Sequence, residues 1–165
     1  MRWLVALAPF ALLLSGCAGS LDNYFPPAST LPDGVAPVPT DDPYFQVAHS
    51  YLGLDSNPAH LGNLSSFQRE GFPKVQSASL WFLKDANAAE ASRAYITVTV
   101  LQFSTEADVP SEAGSSACSG SAQHLLRDGA VLVLVGGDES TQHAKDTLAA
   151  IAQDVADHSA AKLVC

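Results

Sequence analysis

The sequence predicts an α+β fold, a two-layer sandwich in which a small, mainly antiparallel sheet is covered by helices. Three observations lead there. Residues 75–84 and 95–103 alternate with the period of a strand. Residues 130–135 are wholly apolar, as in a strand buried on both faces. Near the C-terminus Ala144, Leu148, Ile151, Ala152 and Val155 fall on one stripe of a helix.

Taken in chain order, residues 18–43 carry Pro26, Pro27, Pro32, Pro37, Pro39 and Pro43 and no Lys or Arg. Proline fixes φ and removes a backbone donor, so the segment reads as an extended tether reaching about 80 Å at most. The folded domain is then expected over residues 44–165. Residues 45–52 suit a short helix or turn. Ser56-Asn57-Pro58 can open another helix, with Leu61, Leu64 and Phe67 at three-residue spacing and Gly71 as its stop. In the first strand Ala78, Leu80 and Phe82 share one face, and Val75, Ser77, Ser79, Trp81 and Leu83 the other. In the second, Ile96, Val98 and Val100 oppose Tyr95, Thr97, Thr99, Leu101 and Phe103. The short polar connection between them implies an antiparallel pair. Residues 104–120 form a loop, and 121–128 read as a short helix ended by Gly129. Gly136-Gly137 break the apolar strand. Asp138 or Ser140 is suited to cap the last helix, and Leu163-Val164 to add a short final strand.

The N-terminus carries an export layout: Arg2, then an apolar run from Trp3 to Leu14, then Leu14-Ser15-Gly16-Cys17. The run is well short of the roughly 20 residues of a spanning helix. These residues resemble the lipobox of bacterial lipoproteins. The resemblance covers residues 1–17 and implies a signal peptide, residues 1–16, that is removed. Cys17 would then be the lipidated first residue, carrying diacylglyceryl and often an N-acyl chain such as palmitate. Two or more chains hold a protein stably on a membrane. The implied location is the extracytoplasmic side of a bacterial cell envelope. Ala18, in place of an aspartate, favours the outer membrane if the host has one.

Removing the first 16 of 165 residues leaves 149, with 7 basic and 17 acidic side chains, a formal balance of −10. Such a chain disfavours nucleic acid and a polybasic grip on lipid. With Cys17 lipidated, Cys118 and Cys165 remain, and two cysteines in an exported chain suggest a disulfide worth about 4 kcal/mol. Free thiols are the rival reading. A metal site on Cys118 and His124 lacks a second ligand pair.

Gly136-Gly137-Asp138-Glu139 shares four letters with the diguanylate cyclase signature, but Ser140 follows where that family has Phe, and a strand end, turn and helix cap account for all four. His49, His60, His124, His143 and His158 show no metal-ligand spacing and read as surface residues. No nucleophile motif of the Gly-x-Ser-x-Gly or Ser-x-x-Lys kind occurs. Trp81 and Phe103 are core residues or, on an open sheet face, anchors for a partner or ligand. The functional expectation is a membrane-anchored, non-catalytic domain without a cofactor, binding an envelope protein or a small apolar ligand. The alternative is an envelope hydrolase with a dispersed active site. Lipidation has a direct check: Cys17→Ser should leave an unlipidated protein released from membranes, read by fractionation and mass.

Overall fold

A computed structural model describes residues 20–69, 72–110 and 122–165, with the side chains of residues 122 and 123 left aside. The frame is an antiparallel sheet of seven strands: β1 (Val35–Pro37), β2 (Ala59–His60), β3 (Val75–Asp85), β4 (Tyr95–Phe103), β5 (Ala122–Asp128), β6 (Val131–Gly136) and β7 (Lys162–Leu163). The order is β1-β3-β4-β6-β5-β7, with β2 beside β1 on the outer edge of β3. Among the described residues three α-helices accompany it: α1 (Pro43–Leu52), α2 (Ser65–Arg69) and α3 (Gln142–His158).

The fold is therefore α+β, but the two-layer arrangement needs correction, because both sheet faces are covered. One face carries Trp81, Leu83, Ile96, Val98, Val100, Leu126, Val131, Val133 and Val135, packed against Leu148, Ile151, Ala152 and Val155 of α3. The other carries Ala78, Leu80, Phe82, Leu101, Phe103, Leu125 and Leu132, packed against Phe45 of α1, Leu54 and Leu61, with Leu64 and Phe67 alongside. The alternation of β4 and the double-sided burial of β6 follow the sequence pattern. Val75 does not: the register shifts between Val75 and Ser77, and this bulge turns Val75 onto the face of Ala78 and Leu80.

Three local expectations are overturned. The segment read as a short helix over residues 121–128 is β5, the hairpin partner of β6. Gly129 (φ +53°) ends no helix; it takes the first central position of the two-residue turn between Asp128 and Val131, where only glycine adopts that backbone freely. Leu125 and Leu126 thereby bury on opposite faces. The helix expected from Ser56-Asn57-Pro58 is replaced by a cis Asn57–Pro58 bond, β2 and the five-residue α2. Asn57 serves as a side-chain strand partner instead. Its amide nitrogen donates to the carbonyls of Val38 and Phe82, both at 2.8 Å, and its oxygen accepts from the Phe82 N–H at 2.9 Å. It fills the gap between β1 and β2 on β3. The cap of α3 is Thr141, whose hydroxyl accepts from the Ala144 N–H at 3.1 Å, rather than Asp138 or Ser140.

The largest correction concerns the proline-rich segment. From Ser20, the first described residue, onward it is packed, so residues before 44 belong to the folded unit. A single 3-10 turn, Leu21–Tyr24, buries Leu21. Phe25 and Val35 are buried beside it on the α3 face, and the Phe25 ring tilts against Trp81 at 5.6 Å. β1 pairs with the end of β3, and Val38 is 2% exposed. Tyr24 Oη donates to Asp128 at 2.8 Å, and burial together with that carboxylate pushes the phenol pKa up to about 12. The prolines suit this edge role, since Pro37 lies in a strand that pairs on one side only.

Cys165 is disulfide-bonded. Cys17 and Cys118, the latter its expected partner, lie outside the described residues. The described C-terminus is held by β7 and by the Val164 N–H donating to the Leu125 carbonyl at 2.7 Å. The packed N-terminal segment is open to test. A chain starting at Pro39 loses four buried apolar side chains, each worth about 1.5–3 kcal/mol. Its melting temperature should fall by about 20 °C or more; an unchanged melt would restore the tether.

Candidate functional site

Where β3 ends, the N-terminus of α3 is drawn over the β3–β4 connection. Gly137 permits the approach. A Cβ there would meet Leu148 Cδ2 at 3.1 Å and Ile96 Cγ1 at 3.3 Å, so a side chain at this turn would require both neighbours to give by a few tenths of an ångström. The result is a cleft lined by Asp85, Arg93, Asp138, Ser140, His143 and Thr147, with Ile96 and Leu148 at its apolar base. Its accessible volume is about 40 Å³, room for a few waters or the tip of a side chain.

Two polar pairs organise it. His143 Nε2 donates to Asp85 Oδ2 at 2.7 Å. A carboxylate only accepts, so this contact fixes the ring tautomer. The Asp85 side chain is 5% exposed, whereas that of His143 is about half exposed. The other oxygen of Asp85 accepts from the Asn87 N–H at 2.8 Å. Alongside, Ser140 donates to Asp138 and accepts from Arg93 at 2.9 Å, while Arg93 also pairs with Glu90 at 3.2 Å. The Ser140 hydroxyl, with lesser help from the Arg93 charge, holds the Asp138 carboxyl below the usual carboxylate range.

Beside the cleft, α1 is fastened to the same end of the sheet. Asp42, its N-cap, accepts from the Tyr44 N–H at 2.8 Å, from Tyr95 Oη at 3.0 Å and from Lys84 at 3.1 Å. These contacts, the Tyr44 amide first, hold the Asp42 carboxyl low. Tyr44 stacks on Tyr95 at 3.9 Å. Beyond this clamp α1 turns Val47 (57% exposed), Tyr51 (85%) and Leu52 outward. Tyr44, Val47 and Tyr51 form a stripe at helical spacing.

A third group has the residue types of nucleophilic catalysis. Ser79 Oγ lies 2.6 Å from His60 Nδ1, and His60 Nε2 lies 3.5 Å from Asp22. Ser79 is completely buried, so no substrate reaches it. The relay ties the N-terminal turn to β2 and β3.

Of the residues singled out from sequence, Cys17 and Cys118 lie outside the described residues. Trp81 (4% exposed) and Phe103 (2%) are core, on opposite faces, which removes the open sheet face on which either would anchor a partner. His124 sits on β5, and its Nδ1 is buried without a hydrogen bond among the described residues. His143 is the partner of Asp85. Asp85 and His143 stand 58 positions apart, so no local spacing could have joined them. The α1 stripe was legible as a 3/4 spacing after the Asp42-Pro43 start.

Among the described residues no group of three or more His, Cys, Asp or Glu is placed to hold a metal, and no helix is long and apolar enough to cross a membrane. Comparison with known protein families, curated proteins and solved structures finds no match.

The Asp85–His143 contact predicts a stability effect. His143→Ala leaves a buried carboxylate short of a partner and should cost about 1–3 kcal/mol in urea unfolding. Asp85→Asn, which keeps an acceptor for the Asn87 amide, should cost less.

Proposed function

We propose that this chain is an exported lipoprotein, held in the cell envelope by lipid on Cys17, whose domain is a non-catalytic binding module for a protein partner. The observation that supports binding is the outer stripe of α1: Val47 and Tyr51 are exposed on a helix whose inner side is fixed by Phe45, 1% exposed. Exposed aromatic and aliphatic side chains at this spacing suit insertion into a partner's hydrophobic groove. A small apolar ligand is less well served, because the cleft at Asp85 is narrow and rimmed by charge.

The test is photo-crosslinking from position 47 in native membranes, with position 153 on the outer side of α3 as reference. One reproducible protein adduct from position 47, absent from position 153 and lost in Tyr51→Asp, is the expected result. Tyr51→Asp should change stability by less than about 0.5 kcal/mol, as exposed positions do. No adduct, or equal adducts from both positions, would overturn the reading.

One observation favours the hydrolase alternative. With Nε2 engaged by Asp85, a neutral His143 keeps Nδ1 as an acceptor, as a general base requires, and Ser140 lies in the same cleft. Turnover of an envelope ester or glycan that is abolished in His143→Gln would establish it.

A further inference from the structure

The packed N-terminal segment leaves almost no chain between the proposed anchor and the domain. Only Ala18 and Gly19 separate Cys17 from Ser20, whose hydroxyl caps the Leu21–Tyr24 turn. Three residue steps span at most about 11 Å in any conformation. A domain lipidated at Cys17 is therefore held at the bilayer surface by whatever surrounds Ser20.

What surrounds Ser20 is a groove of about 350 Å³ lined by Leu21, Asn23, Tyr24, Gln102, Asp128 and the end of α3 at His158 and Ser159. It lies at the end of the sheet where β4 finishes and β5 turns into β6, opposite the end that carries the Asp85 cleft. Asn23 and His158 are exposed, no Lys or Arg lines the groove among the described residues, and the side chains there offer uncharged donors beside one carboxylate.

We propose that this end of the domain lies in the lipid headgroup layer, with the groove receiving a net-neutral phospholipid headgroup. The inference rests on the lipid anchor proposed above. It gives the molecule a direction. α3 runs away from the membrane, so His143 stands 15 residues, about 22 Å, above His158. The Asp85 cleft and the start of α1 at Asp42 and Tyr44 then face the compartment and not the bilayer.

The experiment uses the full lipidated chain in its own membranes. A photoreactive residue replaces Asn23 or His158 at the groove, or Lys145 far along the same helix, and phospholipid adducts are counted by mass, together with the mass of the lipid on Cys17. Adducts from positions 23 and 158 should exceed those from position 145 several-fold. In vesicles mixing phosphatidylethanolamine with phosphatidylglycerol, the adducts should carry the zwitterionic lipid at or above its share. If Cys17 carries lipid but positions 23 and 158 give no more adducts than position 145, the orientation is wrong and the anchor stands. An excess of phosphatidylglycerol adducts would overturn the net-neutral headgroup. If Cys17 carries no lipid, the anchor fails and the orientation falls with it.

Discussion

The constraint on which the structure depends is that its central strands are apolar on both faces. Val98, Val100 and Leu101 in β4, and Leu132, Val133 and Val135 in β6, are at most 1% exposed. A sheet of this kind needs cover on each side, since every face left open forfeits apolar burial at about 25 cal/mol per Å². α3 covers one face where β5, β6 and β4 meet it, but Trp81 and Leu83 lie further out, towards the edge. Leu21, Phe25 and Val35 join them in that core. The other face takes Val38, Phe45, Leu54, Ala59 and Leu61. The proline-rich segment is thus recruited into the fold by the sheet's own demand for cover.

The same edge shows how the chain finishes a strand that short segments only partly pair. β1 covers Leu83, Lys84 and Asp85, and β2 covers Ser79 and Leu80. Between them the Asn57 amide takes over at Phe82. At the ends of this row sit side-chain clamps: Asp22, His60 and Ser79 on one side, and Asp42 with Lys84 and Asp85 with His143 on the other. An edge so occupied offers no row of free amides for another strand to add to.

The polar clamps also account for what can be accessible. Ser79 has a histidine and an aspartate in line yet lies under the N-terminal turn, whereas His143 and Ser140 border open space. Residue identity alone would rank the buried group first; burial reverses that order. The outward stripe of α1 is exposed for a related reason: Asp42 and Tyr44 pin the start of the helix and Phe45 fixes its inner side, so Val47 and Tyr51 point away from the core that the described residues form.

Sequence by itself determined the α+β class, the alternation of β4, the two-sided burial of β6 and the stripe of α3, because each depends on a period of two or 3.6 that side chains display locally. The proposed export layout ending at Cys17 likewise rests on a linear pattern that needs no fold. Only the tertiary structure decided that residues 122–128 are a strand, since Leu125 and Leu126 bury on opposite faces once β6 lies alongside. The same holds for Asn57, whose amide completes a strand edge rather than opening a helix, and for the prolines, which line that edge rather than forming a tether. The pairing of Asp85 with His143 likewise exists only once β3 and α3 meet. Local propensity fixes what each segment prefers, while the partner that satisfies its backbone and covers its apolar face comes from elsewhere in the chain.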